Sequence, residues 1–417
     1  MNDSLIQKFH FFEIAGLFIL AFSLPVFGAP KYLGYCVLVT GAAGWRLCDR
    51  KIKLRKPAFY EVLIIMVLLI SLISTFINWP LHYGIKGFKH SFYFFSMFWI
   101  LSRGGYNKDT IKKTMILLII GTIIAALTGF WQFKCGNAKE FNLLSLNGID
   151  RSAGYIAIII FVCLGIILDN CSGYNRISKF FAISSLFLCF LCLFVMGSRG
   201  CILSVMITFP ILFVVISRSK IFEKFLPVLL ICTLSVVILT ALIASFPNSK
   251  YLQRFRHIGT IRLTLNPSEM SYNDQERYDY WRVALMYAIK NPSFFGVGPR
   301  NFREIDISKL KVKRPLTKIA SETFKNKQAL HAHNWILTVL VEQGFLGLIA
   351  FVVFLITIMV KLIKKKPEDK INAVWVAAFS TCFLPCISGL FNSAFTNENG
   401  WLTFFVFGLG MWFIHEN

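Results

Sequence analysis

The stretch HAHNWILTVLVEQGFLG, residues 331–347, begins with two histidines and runs directly into an apolar segment. His331 and His333 therefore lie where a hydrophilic stretch meets a run long enough to cross a bilayer as a helix. Imidazole is costly to place against hydrocarbon, and a span that only anchors the chain has no need of it. The two side chains are predicted either to hold structural hydrogen bonds or to do chemistry at the membrane boundary.

The composition predicts an integral membrane protein. The 417 residues are 56% hydrophobic, and the formal net charge is +23. Mean hydropathy is +0.63. A soluble domain could not bury that much apolar surface. The positive charge favours contact with anionic membrane lipid or with an anionic ligand, and no nucleic-acid partner is expected.

Apolar runs of membrane-spanning length recur along the chain. They predict an all-α polytopic membrane protein with about twelve transmembrane helices, at residues 11–29, 32–46, 59–78, 88–102, 114–133, 152–168, 180–196, 201–216, 226–246, 335–360, 372–392 and 400–415. The predicted organisation has three parts. Residues 1–246 hold nine spans, residues 247–333 form one large loop, and residues 334–417 hold the last three spans.

The distribution of Lys and Arg predicts the orientation. With the N-terminus in the cytoplasm, the short inside connections carry twenty basic residues and the short outside connections carry seven. Because basic residues concentrate in short cytoplasmic loops, both chain ends are predicted to be cytoplasmic. The large loop then lies outside.

The loop at residues 247–333 is strongly basic, with sixteen Lys or Arg against seven Asp or Glu, a net charge of about +9. This charge predicts attraction to anionic lipid or a role in binding an anionic substrate. Within the loop, residues 273–292 read as an amphipathic helix that Pro292 ends. Its predicted apolar face carries Tyr280, Ala284, Tyr287 and Ala288.

Several cationic side chains share the predicted outer face with the histidines. They are Arg151, Arg199, Arg277, Arg282 and Arg300. Guanidinium is always charged and presents a planar fork of donors that suits phosphate oxygens. A group of arginines with a histidine at the membrane surface therefore suits a lipid-linked phosphate or diphosphate. The alternative is that Arg151 and Arg199 only anchor helix ends among the lipid headgroups.

Three other polar or small-residue features have a structural interpretation. The acidic residues nearest the arginines, Asp274 and Glu276, are expected to form ion pairs, so no metal site is predicted. Glu342 lies nine residues after His333, on the opposite face of a continuous helix, and is expected to make polar contacts between helices. Gly344 and Gly347 are predicted to form a close helix contact.

The chain resembles the O-antigen ligases of Gram-negative bacteria, within the group that includes the O-antigen polymerases. His333-Asn334, nine residues, Gly344, two residues and Gly347 match the pattern of that family. The stretch NPSFFGVGPRNF, residues 291–302, resembles the element that precedes the pattern. Twelve spans with one large loop before the tenth are similar to the family's topology, and the resemblance implies a fold like that of C-type glycosyltransferases.

The resemblance implies a catalytic histidine and arginines that bind the diphosphate. By position these are His333, with Arg199, Arg277 and Arg151. Arg282 also lies near the head of the amphipathic helix and is an alternative to Arg277. The secondary candidates are Arg282, Arg300 and His331.

The implied reaction is glycosyl transfer in the inner membrane, with the site in the periplasm. The donor would be O-antigen on undecaprenyl diphosphate, the acceptor a sugar hydroxyl of lipid A–core, and no metal or other cofactor would take part. Two alternatives remain. One is an O-antigen polymerase on the same scaffold, and the other is a transporter of lipid-linked glycans, which would favour charged residues at the bilayer midplane and inverted repeats.

Overall fold

The computed structural model describes residues 3–26, 28–48, 56–136, 140–144, 146, 148–217, 272–310, 315–366, 371–392 and 394–416. In these ranges all regular structure is helical, with two short 3-10 turns and no strand. The α-helices are α1 (Asp3–Ser23), α2 (Pro30–Cys48), α3 (Phe59–Ile77), α4 (Leu81–Ser102), α5 (Lys108–Lys134), α6 (Ile149–Leu168), α7 (Arg176–Met196), α8 (Arg199–Ser217), α9 (Tyr272–Lys290), α10 (Lys318–Lys325), α11 (Trp335–Lys364), α12 (Ala373–Thr381), α13 (Leu384–Ser388) and α14 (Asn397–Glu416).

The all-helical class is confirmed for the described ranges. Seven of the described helices, α1, α3, α5, α6, α7, α8 and α11, are long and apolar enough to cross a membrane. Helices occupy eleven of the twelve predicted span positions, whereas the predicted ninth span, residues 226–246, lies outside the described residues. The count of twelve, the three-part organisation and the orientation in the membrane stay predictions.

The predicted eleventh span is wrong as a continuous helix. Residues 372–392 contain two shorter helices, α12 and α13, with a turn at Cys382 and Phe383. Pro385 is near the first position of α13, where a missing N–H costs nothing, and the residue before a proline disfavours helical geometry. The interruption leaves the carbonyls of Gly389 and Leu390 at the end of α13 free to bind the start of α11.

The centre of the bundle is α6, in which 83% of the most apolar stretch is buried. It packs against α7 and α12, and α14 packs against α4. A nearly continuous apolar sequence suits a helix that is surrounded on all sides. The first turn of α6, with Asp150 and Arg151, is therefore held in the middle of one end of the bundle.

Both described chain ends lie at the other end of the bundle from His333. Tyr60, in the first turn of α3, hydrogen-bonds His415 in the last turn of α14 at 2.7 Å. Lys361 in α11 lies over the same Tyr60 ring at 5.6 Å, and helix geometry separates it from His333 by about 40 Å. His10 of α1 packs on Trp45 near the end of α2, and Arg46 beside it donates to the carbonyl of Arg103 after α4.

Helix α11 is broken at Gly344, where φ is 71° and ψ is −170°. The break leaves backbone groups without intrahelical partners, and residues 293–298 bind them. Val297 and Gly298 donate to the carbonyls of residues 341 and 342, each at 2.9 Å, and residue 345 donates to the Ser293 carbonyl at 3.1 Å. The expected Gly344–Gly347 helix contact is therefore wrong for Gly344, because an inserted loop rather than a neighbouring helix fills the space.

The described part of the large loop has its own apolar core. Tyr280 and Ala284 of α9 are buried there against Phe302, Phe324 and their neighbours, and Tyr287 packs at its edge. The predicted amphipathic helix is confirmed as α9, which ends two residues before Pro292. This core fixes α9 to the bundle, and with it the position of the arginine near its start.

Candidate active site

The site forms where the first turns of helices meet at one end of the bundle. Asp150 and Arg151 begin α6, Arg199 begins α8, and Arg277 lies near the start of α9. His333 comes two residues before α11. The positive ends of helix dipoles at these starts favour negative charge, so the backbone geometry itself suits an anionic ligand.

Asp150 joins three of these elements. Arg277 donates to its Oδ2 at 2.8 Å, and the hydroxyl of Ser198, just before α8, donates to its Oδ1 at 2.8 Å. The side-chain amide of Asn392, oriented so that its nitrogen faces the acceptors around it, lies 2.9 Å from Oδ2. The carboxylate therefore connects α6, α8, α9 and the segment after α13 at a single point.

His333 is held by packing on α9 and by its own chain neighbours. Its ring stacks on Tyr280 with centroids 5.5 Å apart and planes 14° apart. The indole N–H of Trp281 donates to the His333 carbonyl at 3.4 Å. The next residue, Asn334, caps α11 by accepting from the backbone N–H of residue 337 at 3.1 Å.

The Asn334 amide also ties this corner to the end of α13. It donates to the Leu390 carbonyl at 3.0 Å, and the backbone N–H of Trp335 donates to the Gly389 carbonyl at 2.8 Å. The two residues of the His-Asn pair therefore have different roles. The asparagine fixes where the helix starts, and the histidine ring packs on Tyr280, where the charges of Arg277, Asp150 and Arg151 act on it.

The environment of His333 keeps its imidazole neutral at pH 7. Burial lowers the pKa of His333 to about 4, and the nearby charges of Arg277 and Arg151 act in the same direction, whereas Asp150 opposes them. A neutral imidazole has a free lone pair, which a general base requires.

His331 packs edge-on against His333, with ring centroids 4.4 Å apart. Burial lowers the pKa of His331 well below its usual value, helped by His333 and Arg151. Its Nδ1 is buried with no hydrogen-bond partner among the described residues. His331 is therefore a neutral packing partner of His333 in this arrangement.

His333 and Arg300 both have left-handed backbone conformations, with φ of 52° and 63°. Such conformations cost a non-glycine residue free energy, of order 1–3 kcal/mol, and persist where the surroundings enforce them. In the described chain one further non-glycine residue, Lys327, has a positive φ. The strain is thus concentrated at two of the seven predicted site residues.

Arg151 and Arg300 add positive charge beside the histidines. The charge of Arg151 acts on His331, on His333 and on Arg300. The pKa of Arg300 is lowered, mainly by burial, whereas the nearby charge of Glu342 raises it. Guanidinium groups gathered in this way repel one another, and a bound anion would relieve that repulsion.

Arg199 and Arg282 are placed differently. Arg199 is exposed at the first position of α8, next to the Ser198 that binds Asp150. Arg282 pairs with Asp279 at 3.0 Å, and the same carboxylate accepts from the backbone N–H of Thr317 at 2.7 Å. Of the two arginines of α9, Arg277 contacts Asp150, whereas Arg282, in the middle of the helix, pairs with Asp279 of the same helix.

Glu342 is expected from the sequence to make polar contacts between helices, whereas its carboxylate binds the backbone of the segment around residues 300–302. It is buried, and its carboxylate accepts from the backbone N–H groups of Arg300 and Phe302. It thereby holds the strained Arg300 backbone against α11. Among the described residues no group of three His, Cys, Asp or Glu side chains is arranged to hold a metal ion.

Sequence reasoning missed Asp150, Tyr280 as a ring partner of His333, and Trp281. Asp150 stands directly before Arg151 in GIDRSAGY. An acid at the first turn of an apolar span is itself a signal, because a carboxylate there needs a cationic partner. Trp281 carries no local signal, since its contact with His333 depends on how α9 docks.

The fold and the site together define a multi-pass α-helical membrane protein that gathers a neutral histidine and several arginines at one end of its helix bundle. A family model described as O-antigen ligase matches residues 184–352, from α7 into α11. Residues 184–352 are therefore similar to the O-antigen ligase/polymerase superfamily, and this similarity supports a ligase- or polymerase-type function on lipid-linked polysaccharide. No curated protein matches the chain.

Proposed function

We propose that the protein is an O-antigen ligase. It transfers O-antigen from undecaprenyl diphosphate to a sugar hydroxyl of lipid A–core, in the cell inner membrane with the site facing the periplasm. The observation that carries the proposal is the ion pair of Arg277 and Asp150 at 2.8 Å, whose charges, with that of Arg151, act on the His333 imidazole. The family match over residues 184–352 adds support.

The donor diphosphate binds Arg151, Arg199 and Arg277 in this proposal. Arg151 and Arg199 stand at the starts of α6 and α8, where helix dipoles add to the attraction for phosphate oxygens. Arg277 is 31% exposed, so its remaining donors can reach a ligand while one binds Asp150. The guanidinium groups neutralise the leaving group, and the reaction is proposed to need no metal.

His333 acts as the general base. Its neutral imidazole takes the proton of the acceptor hydroxyl while the oxygen attacks the anomeric carbon, and the bond from that carbon to the diphosphate breaks. The diphosphate leaves with the electron pair, and the configuration at the anomeric carbon inverts. A bound diphosphate is negative and raises the pKa of the nearby imidazole, which makes His333 a stronger base once the donor is present.

Apolar surface beside the site supports lipid-linked substrates. A groove of about 550 Å³ runs between α9 and α11. Leu285, Ile289, Phe294 and Phe345 line it and are exposed. Hydrocarbon chains attached to both substrates would lie against such a surface, and the net charge of about +9 on the large loop suits their anionic headgroups.

The test is complementation of a strain that lacks its own copy of this protein. His333→Ala and Arg199→Ala, at wild-type expression, should leave bare core on lipopolysaccharide gels and finished polymer on the lipid carrier. Asp306→Asn, at an exposed loop residue, serves as the matched control. Wild-type O-chain levels in either site variant would remove that residue from the mechanism, and core bearing a single repeat unit would identify a polymerase instead.

A further inference from the structure

A second large cavity lies at the end of the bundle away from His333. Its volume is about 840 Å³. It opens between the start of α5, the end of α11, the start of α12 and the end of α14. Lys364, at one wall, is separated from His333 by almost the whole length of α11, so this cavity is no part of the candidate active site.

Among the described residues, five lysines line the cavity. Lys108 and Lys112 belong to α5, Lys364 ends α11, and Lys365 and Lys366 follow it. Among the described lining residues the one carboxylate is Glu416, while Asp109 beside the cavity pairs with Lys112 at 3.0 Å. The described lining of the cavity therefore carries an excess of positive charge.

The positions of these lysines add to the repulsion. Lys108 and Lys112 stand in the first turns of α5, where the helix dipole is positive and acidic residues are preferred. The three consecutive lysines at the end of α11 face the same space. An arrangement in which like charges converge on one cavity is stabilised when an anion enters it.

Apolar side chains share the lining of the cavity with the lysines. They are Ile111, Val374, Trp412 and Ile414. Trp is enriched where headgroups meet hydrocarbon. A cavity lined by both basic and apolar side chains fits a phosphate with attached chains better than it fits free phosphate.

We propose that this cavity binds the headgroup of an anionic phospholipid, with its phosphate diester among Lys108 and the lysines at residues 364–366. Basic pockets between transmembrane helices commonly hold such headgroups. The site is separate from the proposed glycosyl transfer and does not depend on it.

The test is native mass spectrometry of the full-length protein in mild detergent, titrated with phosphatidylglycerol or with phosphatidylcholine of the same chains. The wild type should bind phosphatidylglycerol at least about tenfold more tightly, since each lysine near an anionic headgroup contributes measurably. Lys364→Gln/Lys365→Gln/Lys366→Gln should lose that preference.

The matched control is Lys8→Gln/Lys56→Gln/Lys113→Gln. It removes the same charge at exposed lysines of the same bundle end that do not line the cavity, and it should keep the preference. The proposal is overturned if the cavity variant retains the preference or if the control loses it equally. Displacement of phosphatidylglycerol by excess inorganic phosphate would also overturn it, by making free phosphate the ligand.

Discussion

Arg277 and Asp150 form an ion pair at 2.8 Å across 127 positions of sequence. One partner belongs to the helix of the large hydrophilic loop, and the other to the first turn of the most buried span. The pair therefore links the loop to the bundle at the candidate site, while both side chains stay about one-third exposed, so the pair contributes little to stability. The Asp150 carboxylate also raises the pKa of His333, against the lowering effect of Arg277 and Arg151.

Asp150→Asn should lower the rate of glycosyl transfer by about 10- to 100-fold, because a charged hydrogen bond that orients Arg277 is weakened. Asp150 raises the pKa of His333. In the variant, the acid limb of the pH–rate profile should therefore move to lower pH. The measurement is transfer by purified protein across a pH series. The control is Asp306→Asn, at a loop carboxylate that pairs with Lys309, and it should change neither the rate nor the pH of the acid limb. An Asp150→Asn enzyme with the wild-type rate and pH profile would show that Asp150 does not position Arg277.

The pH dependence of kcat/KM should show an acid limb well below 6.5. His333 has a pKa of about 4 in the folded protein, so its imidazole stays neutral and competent as pH falls through 6.5. The limb in kcat should lie at higher pH than the limb in kcat/KM, because bound diphosphate raises the pKa. An acid limb in kcat/KM at 6.5 would contradict the described burial.

Protonation of His333 should also affect stability. The unfolded chain binds a proton near pH 6.5 and the folded site near pH 4. The contribution of His333 to stability is therefore complete above pH 6.5 and is lost as pH falls toward 4. Melting temperatures of wild type and His333→Gln should converge or cross in that window, and a constant difference between them from pH 7 to 4 would contradict the prediction.

Arg277→Ala and Arg282→Ala should separate activity from stability. Loss of Arg277 should reduce transfer by about 100-fold or more, since a guanidinium that binds charged oxygens is removed, with little change in melting temperature. Loss of Arg282 should cost about 1–3 kcal/mol of stability, because it leaves the buried carboxylate of Asp279 without its cation. The reverse pattern would assign the phosphate to Arg282.

Gly344→Ala should destabilise the fold by at least about 2 kcal/mol. The backbone at Gly344 has a conformation that only glycine adopts readily, and an added Cβ would lie 2.4 Å from the carbonyl oxygen of Phe294. Gly105→Ala is the matched control, since a Cβ there meets open space. Equal melting temperatures of the two variants in detergent would show that the inserted loop is not held as described.

Local sequence pattern was sufficient for much of the fold. Long apolar runs predicted where helices lie, and the periodicity around Tyr280 and Ala284 predicted the buried face of α9. Both predictions agree with the structure because helix formation and burial of one helix face depend on residues that are only a few positions apart. Pattern was insufficient at Gly344 and at Pro385, where a break is stable only because distant segments bind the freed backbone groups.

The residues of the candidate site were likewise predictable only in part from the sequence. The His-Asn pattern identified His333, and the predicted outer face collected Arg151, Arg199 and Arg277. The sequence left the choice between Arg277 and Arg282 open, because both lie near the head of one amphipathic helix. Docking of that helix brings Arg277 to Asp150 of α6, whereas Arg282 pairs with Asp279 of its own helix.

Amino-acid pattern alone predicts a helical membrane protein, the approximate positions of most helices, and the cationic side chains that are candidates for one anionic site. The positions of several helix ends, the role of Asp150 in that site, the neutral state of His333, and the break of α11 that receives residues 293–298 follow only from the folded arrangement. The two kinds of information differ in the sequence distance over which they act. Hydropathy and helix propensity act between near neighbours, whereas ion pairs, burial of a ring and backbone hydrogen bonds at a helix break join residues from distant parts of the chain.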